Sequence, residues 1–351
     1  MSGKKKFPLI LISLLLLTGC TARTPDIHTP NAVTDLISIE IGGMDQWVMI
    51  RGDDRSNPVL LWLHGGPGAA QMPVHRTFNK DLEKEFVVVH WDQRGAGKSN
   101  HSGFNEETMT LDRFIEDVHE MTQYLKERFD QEKIFLLGHS WGTHLGILTV
   151  QRYPDDYHAY ISVAQVVHPQ RTDIISYEWL SEQVKEHGSR RQKRKFKELG
   201  PPLYDEHDRY VTFAMMKDSF GGSMDIGMGR LAWISFGASE YTMGDYVKWL
   251  RGANRGSGSM WEETRDLDLF RLIPSLEVPA WFIVGNNDYN TPAVLVEDYY
   301  EFVQAPQGKE LIIMEYTAHA PFMGDPERFN RELIRIKSKV VQENKTATDF
   351  E

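Results

Sequence analysis

Residues 134–153 read Ile-Phe-Leu-Leu-Gly-His-Ser-Trp-Gly-Thr-His-Leu-Gly-Ile-Leu-Thr-Val-Gln-Arg-Tyr. An apolar run of strand length ends at Gly138, and an apolar segment of helical length follows Gly142 and stops before Pro154. Ser140 stands between them in a Gly-x-Ser-x-Gly motif, which is the strand–turn–helix setting that a nucleophile elbow requires. The glycines let strand and helix approach closely, and a serine at a helix N-terminus sits where developing negative charge is favoured. Ser140 is therefore the candidate nucleophile.

Further apolar runs on both sides of this stretch predict more strands. Two short segments that flank Gly42-Gly43 predict an antiparallel hairpin. Continuous apolar runs over 59–63 and 86–91 are typical of strands buried on both faces, and each leads into a glycine-rich turn. A helical pattern over 111–129 and further strand-like runs follow, at 160–165, 280–284 and 311–315. This alternation predicts an α/β fold with a mostly parallel sheet and helices on both faces.

The alternation breaks off in the middle of the chain. From 166 to 270 the sequence is mainly helical in pattern, rich in methionine and tryptophan, with several glycine breaks. We interpret this region as a helical cap inserted into a core that is formed by 35–165 and 271–345. The 351 residues then make one large domain with an insertion.

Composition and missing motifs exclude several classes of function. A net charge of −11 argues against nucleic acid as a partner. The chain has a single cysteine and no His-Glu-x-x-His motif, so no metal site is predicted, and no cofactor is expected. Gly97-Lys98-Ser99 resembles the end of a phosphate-binding loop, but that motif requires glycine where Asp92 stands.

The amino terminus has the pattern of a targeting segment. Residues 4–6 are lysines, and the apolar run Leu9–Leu17 is too short to span a bilayer. The sequence Leu-Thr-Gly-Cys that ends at Cys20 resembles the lipobox of bacterial lipoproteins, in which the cysteine is lipid-modified and becomes the first residue. We therefore predict a signal peptide over 1–19, a lipid anchor on Cys20 and a tether over 20–34. The expected location is extracytoplasmic, on the cell membrane or the outer membrane.

Three motifs together resemble one enzyme family. They are His64-Gly65-Gly66-Pro67-Gly68, then Asp92-Gln93-Arg94-Gly95-x-Gly97-x-Ser99, then Gly138-x-Ser140-Trp141-Gly142. In this order they look like the prolyl aminopeptidase (proline iminopeptidase) branch of the α/β-hydrolases, over roughly 35–165 and 270–335. One position departs from the pattern, because His139 stands where many family members have glycine. The resemblance implies an α/β-hydrolase fold.

A serine nucleophile needs a base that takes its proton and an acid that orients the base. In this fold the order along the chain is serine, acid, histidine. Asp288 follows the strand after the cap and is the candidate acid, and the alternative acid position holds the uncharged Gln165. His319 lies in the loop after the last strand and is the candidate base. His168 is its rival.

The same chemistry requires N–H donors for the tetrahedral oxyanion. The residue after the nucleophile supplies one backbone donor, which is Trp141 here. The family resemblance implies a second donor from the glycine-rich loop, either Gly65 or Gly66. Glycine at this loop lets the backbone approach a substrate without a Cβ clash.

The resemblance also bears on the substrate. An aminopeptidase binds a free ammonium group, and cap glutamates do so in the resembled family; Glu178 and Glu240 are the candidates here. The leading hypothesis is a serine hydrolase that works through an acyl-enzyme and releases N-terminal proline, or another residue, from short peptides. A carboxylesterase or lactonase would use the same machinery on small esters. The third hypothesis is a lipoprotein that binds ligands without turnover.

Overall fold

A hairpin at Gly42-Gly43 opens the sheet in the computed structural model, which describes residues 22–348. Both glycines have positive φ angles, 58° and 72°, as a tight hairpin turn between twisted strands requires. The sheet has eight strands in the order β1-β2-β4-β3-β5-β6-β7-β8. The strands are β1 Val33–Ile41, β2 Met44–Gly52, β3 Val59–Leu63, β4 Val87–Trp91, β5 Ile134–His139, β6 Tyr157–Val163, β7 Ala280–Gly285 and β8 Lys309–Met314. β1 and β2 pair antiparallel, β2 pairs antiparallel with β4, and all later pairs are parallel.

Helices cover the sheet and fill the long connection between β6 and β7. In chain order they are α1 His75–Phe78, α2 Leu111–Phe129, α3 Trp141–Arg152, α4 Pro169–His187, α5 Arg190–Leu199, α6 His207–Asp218, α7 Met228–Phe236, α8 Met243–Ser259, α9 Trp261–Thr264, α10 Leu269–Leu272, α11 Ala293–Phe302, α12 Pro321–Gly324 and α13 Pro326–Thr348. Short 3-10 turns complete the connections. The predicted fold class, a mostly parallel α/β sheet with helices on both faces, is confirmed.

The two faces of the sheet carry separate apolar cores. Along β3, Val59, Leu61 and Leu63 pack into one core, whereas Leu60 and Trp62 pack into the other. All five side chains are buried because successive residues of a strand point to opposite faces and both faces are covered. This explains why the strand reads as a continuous apolar run.

The parallel register brings the carboxyl ends of the central strands to one edge. Leu63 at the end of β3 pairs with Gly138 of β5, and Val163 at the end of β6 pairs with Ile283 of β7. In open α/β sheets, sites form at this edge, in the loops that follow the strands. The loops with the predicted triad and oxyanion residues all begin here.

The segment before β1 lies against the body of the protein. Arg51 donates hydrogen bonds to the Thr24 hydroxyl and to the Pro25 carbonyl, and Thr24 is 9% exposed. This segment was expected to be a tether as far as residue 34, but β1 starts at Val33. The predicted signal peptide and Cys20 lie outside the described residues. No helix within 22–348 combines the length and the apolar character that crossing a membrane needs.

Candidate active site

Ser140 sits on a strained turn between β5 and α3. Its backbone angles are φ 54° and ψ −120°, which a non-glycine residue adopts only when its surroundings enforce it. The surroundings are tight: a Cβ on Gly138 would lie 2.3 Å from the Gly142 carbonyl oxygen, and one on Gly142 would lie 2.2 Å from that of Leu63. Both flanking positions therefore require glycine, as the motif predicts.

The Ser140 hydroxyl meets the two other predicted residues in a continuous hydrogen-bonded chain. Ser140 Oγ lies 2.8 Å from Nε2 of His319, and Nδ1 of His319 lies 2.8 Å from Oδ2 of Asp288. With Nδ1 protonated, His319 donates to Asp288 and its Nε2 accepts from Ser140. Asp288 follows β7 and His319 follows β8, and the loops after these strands bring residues that are 179 positions apart in the sequence into contact.

Four hydrogen bonds hold the Asp288 carboxylate. The backbone N–H groups of Asn290 and Thr291 donate to Oδ1, at 2.7 and 2.9 Å, and the Thr291 hydroxyl and His319 donate to Oδ2. Burial opposes ionisation, but the charge of His319 and these hydrogen bonds outweigh it and lower the pKa of Asp288. The carboxylate is therefore ionised and oriented toward the imidazole.

Asp225 holds the loop that carries His319. Its two carboxylate oxygens accept from the N–H groups of Ala318 and Ala320, each at 2.6 Å, and the Ser223 carbonyl accepts from the N–H of His319. Burial raises the pKa of Asp225 against these hydrogen bonds. No local sequence signal marks this residue, since its contacts span 93 positions or more.

His139 supports the same loop as a neutral side chain. Gln71 donates to its Nδ1 at 2.7 Å, so its Nε2–H donates to the carbonyl oxygen of His319 at 2.8 Å. Burial and the neighbouring His319 lower the pKa of His139 to about 3. The residue that departs from the family pattern is therefore a second hydrogen-bonded support of the histidine loop.

The predicted oxyanion donors surround Ser140. Gly65, Gly66 and Trp141 all line the cavity above it. A Cβ on Gly65 would lie 3.2 Å from Cβ of Ser140, so this backbone passes directly beside the nucleophile. Trp141 is the first residue of α3, where helix N–H groups have no partner within the helix.

Helix α8 packs closely against the glycine-rich loop that carries two of these donors. A Cβ on Gly68 would lie 2.3 Å from the Gly252 carbonyl oxygen, and one on Gly256 would lie 2.6 Å from that of Pro67. Lys98 and Asp245 form a buried ion pair, at 2.9 Å, that ties α8 to the sheet domain. The position of the loop thus depends on α8.

A cavity of about 950 Å³ opens above Ser140 and His319. Its apolar lining comes mainly from the helices between β6 and β7, and includes Met224, Met228, Leu231, Phe236, Trp249 and Leu250. Other methionines and tryptophans of this region lie elsewhere: Met216 belongs to a separate apolar core, and Met215 and Trp233 are exposed. The cavity is large enough for a ligand of several residues.

The glutamates predicted to bind an ammonium group do not line this cavity. Glu178 is exposed on α4. Glu240 is 1% exposed and is paired with Arg76, so its charge is already neutralised. The face that a helix presents to a cavity depends on tertiary packing, which the proximity of aromatic residues in sequence does not reveal.

Asp173 is the buried carboxylate of the cavity. It is 7% exposed and accepts no hydrogen bond from any residue in the described part of the chain. Burial raises its pKa to about 6, against the opposing charge of Lys217. The nearby Thr172 Oγ1 and His144 Nε2 are also buried without a partner among the described residues. A cluster of unsatisfied polar groups beside the hydrogen-bonded chain of Ser140, His319 and Asp288 is the kind of place where a polar ligand binds.

The rival positions considered for the base and the acid have other roles. His168 precedes α4, and its Nδ1 has no partner within 22–348, whereas the Ser140 hydroxyl is bonded to His319. Gln165 accepts from the Ser162 and Tyr160 hydroxyls in the core. Neither residue replaces His319 or Asp288 in the chain of hydrogen bonds.

Comparisons with known proteins find similarity to aminopeptidases. The family model described as "Serine aminopeptidase, S33" matches residues 55–208. A curated relative from Bacillus subtilis, "Probable aminopeptidase YbaC", is 31% identical over 312 residues, which cover 88% of this chain and 98% of the relative. A proline iminopeptidase of Heyndrickxia coagulans is 25% identical, over 78% of this chain and 87% of that protein.

Solved structures agree on the architecture. The crystal structure of proline iminopeptidase from Mycobacterium smegmatis matches with a TM-score of 0.64, over 89% of this chain and 100% of that one, at 16% identity. At this identity the likeness concerns the fold alone. It confirms the predicted α/β-hydrolase fold, in which the loops of one sheet edge carry the site.

Proposed function

Because this chain belongs to the serine aminopeptidase (S33) family of α/β-hydrolases, we propose that it cleaves short peptides at a free amino terminus by a serine mechanism. N-terminal proline is the expected residue released, with other residues as further substrates. The observation that carries the proposal is the chain Ser140–His319–Asp288, which opens into a cavity that also holds the unpaired carboxylate of Asp173.

The geometry supports acylation of Ser140. Its Oγ attacks the scissile carbonyl carbon while its proton passes to Nε2 of His319, and the oxyanion accepts from the amides of Trp141 and of Gly65 or Gly66. His319 then gives the proton to the leaving amine as the C–N bond breaks. A water molecule attacks the resulting ester, passes a proton to His319 and releases the acid, and the hydroxyl of Ser140 is restored.

Asp173 supports the choice of a peptide with a free amino group. An ammonium group that enters the cavity would give this carboxylate the hydrogen-bonded partner that it lacks, and such a charge-assisted hydrogen bond is stronger than one between neutral groups. Asp205 also lines the cavity but is exposed, where screening by water weakens the pairing.

The test compares substrates that differ only in their amino end. Proline and alanine arylamides, their N-acetyl forms and a short-chain nitrophenyl ester are given to the wild type and to Asp173→Asn. We expect the variant to lose about 10- to 100-fold in kcat/KM on the free arylamides, as for a lost charged hydrogen bond, and to keep its rate on the ester. Glu178→Gln is the matched control and should change neither.

An equal loss on all substrates would remove Asp173 from amine recognition. Turnover of the ester alone would favour the second candidate, a carboxylesterase or lactonase. The apolar lining at Met224, Leu231 and Trp249 supports this candidate. A fluorophosphonate probe that fails to label the purified protein would favour a binding protein without turnover.

We further propose that the mature protein is held at a membrane by lipid on Cys20. The lipobox-like sequence before Cys20 supports this proposal. The described chain begins beside it, and Thr24 and Pro25 fix that end to Arg51 of β2.

A further inference from the structure

Helix α7 is an apolar helix without a buried residue. Its sequence is Met-Gly-Arg-Leu-Ala-Trp-Ile-Ser-Phe, and none of these nine residues is fully buried. Leu231 and Ile234 rest partly against the core, but Met228, Trp233 and Phe236 are 58%, 81% and 57% exposed. Large side chains of this kind, exposed together on one helix, mark an interaction site.

Helix α8 extends this apolar surface. Met243, Val247 and Leu250 follow at a spacing of four and three residues, which places them on one side of the helix, and they are 66%, 47% and 63% exposed. The two helices are in contact, since the Phe236 and Tyr246 rings lie 4.8 Å apart. We call the six exposed residues the α7–α8 face: Met228, Trp233, Phe236, Met243, Val247 and Leu250.

The exposed charges of α7 and α8 themselves are basic although the protein as a whole is acidic. Between residues 228 and 259 the sequence has four cationic and two acidic residues. The acidic ones, Glu240 and Asp245, are buried and paired with Arg76 and Lys98. Arg230 and Arg251 are exposed beside the face. An apolar surface with a cationic border fits the headgroup region of an anionic bilayer.

The amino-terminal end of the described chain reaches the same place. The N–H of Arg23 donates to the carbonyl of Ser239, at 2.8 Å, and the Thr24 hydroxyl donates to Glu240, at 3.1 Å. These acceptors lie between the end of α7 and the start of α8. Cys20 is three residues before Arg23, so it lies within about 11 Å of it along an extended chain. A lipid on Cys20 therefore brings the bilayer to the α7–α8 face.

We propose that the α7–α8 face lies in the headgroup region of the bilayer and that the cavity opens toward the lipid. The inference rests on the proposed anchor at Cys20 and not on the hydrolytic mechanism. Met228, Phe236 and Leu250 belong both to the face and to the lining of the cavity. The substrates that reach Ser140 by this route are amphiphilic peptides or acyl compounds that partition into the interface.

Trp233 supplies the test, because tryptophan emission is quenched by brominated acyl chains that it touches. The full chain is reconstituted into phosphatidylcholine–phosphatidylglycerol vesicles, with and without brominated chains, and flotation establishes that it is bound. We expect quenching in the wild type and a loss of about half or more of the quenched emission in Trp233→Phe, since this is the tryptophan at the interface.

A second variant moves the exposed tryptophan elsewhere. Phe302 ends α11, near the edge of the sheet opposite the cavity, and is 41% exposed. Trp233→Phe combined with Phe302→Trp should show no more quenching than Trp233→Phe alone. Full quenching in Trp233→Phe, or quenching gained through Phe302→Trp, would overturn the orientation, and so would a bound wild type without quenching. A chain that does not float with the vesicles would overturn the anchor and the orientation together, while arylamide turnover still tests the hydrolase by itself.

Discussion

The carboxylate of Asp225 accepts from the backbone on both sides of His319, through the N–H groups of Ala318 and Ala320. Two equivalent acceptor oxygens are needed for this arrangement, and an amide has only one. The position of the imidazole relative to Ser140 thus depends on a residue that touches neither Ser140 nor the cavity above it.

We expect Asp225→Asn to lower kcat by up to about 100-fold, as a displaced catalytic group does, with little change in KM. Steady-state kinetics on the best arylamide and the rate of fluorophosphonate labelling measure this effect. Asp325→Asn is the control: Asp325 caps the last helix through Arg328, and asparagine caps equally well. A parallel fall of kcat in both variants would contradict a specific role for Asp225.

Removal of the proposed nucleophile should abolish turnover while the fold persists. Ser140→Ala is expected to lower kcat by about 10⁶-fold, because the members of a triad act as a unit. Asp288→Asn should cost about 10⁴-fold, since it leaves His319 in the wrong tautomer. Circular dichroism checks the fold. Full activity of His319→Ala would move the role of base to His168.

The contact between α8 and the glycine-rich loop predicts a pair of alanine variants with opposite effects. Gly256→Ala places a Cβ 2.6 Å from the Pro67 carbonyl oxygen, so it should lower the free energy of unfolding by about 1–3 kcal/mol and also reduce kcat. Gly258→Ala has its nearest neighbour at 3.7 Å and should be neutral or stabilising by up to about 1 kcal/mol. Denaturant titration measures the stability of both variants, and steady-state kinetics measure kcat. An unchanged kcat in Gly256→Ala would show that the contact with α8 does not position the glycine-rich loop.

The pKa of Asp173, which burial raises to about 6, predicts a pH dependence that belongs to amine substrates alone. Below pH 6 the carboxyl is protonated and no longer pairs with an ammonium group, so kcat/KM for arylamides should fall. Arylamides and the ester share the same hydrolytic groups, so the ratio of arylamide to ester kcat/KM isolates the contribution of Asp173. We expect this ratio to fall on acidification in the wild type and to stay flat in Asp173→Asn. A flat ratio in both would exclude Asp173 from binding the amine.

Metabolic labelling with an alkyne fatty acid tests the anchor in bacterial cells. The wild type should take up the label, and mass spectrometry should find a modified amino-terminal peptide that starts at Cys20. Cys20→Ser should remain unlabelled. Ser13→Ala, within the predicted signal peptide, is the control and should be labelled like the wild type. Label retained by Cys20→Ser would disprove the lipobox assignment.

The sequence was sufficient to predict the elements whose pattern lies within one short segment. Continuous apolar runs predicted both-face burial of β3 and β4, and the glycines around Ser140 predicted a close turn that steric contacts now explain. Asp288 and His319 were predicted from chain order because each follows a strand of the parallel sheet. That their side chains meet Ser140 is a finding of the structure.

Sequence patterns did not identify the residues whose role depends on packing between distant segments. Glu178 and Glu240 were chosen for their aromatic neighbours, yet one faces solvent and the other is neutralised by Arg76. The sequence around Asp173 does not distinguish it from these glutamates. Only the packing of α4 around the cavity shows that its carboxylate has no hydrogen-bond partner in the described chain. Asp225 likewise acquires its function from a loop almost a hundred positions away.

The order in which the sheet is built also decides when the proposed active site is complete. The strained Ser140 lies before the middle of the chain, but the imidazole of His319 follows the edge strand β8. This strand has β7 as its sole neighbour in the described sheet. A nascent or truncated chain that has not yet added β8 holds Ser140 without the imidazole of His319. The proposed site is therefore complete only after the last strand has joined the sheet.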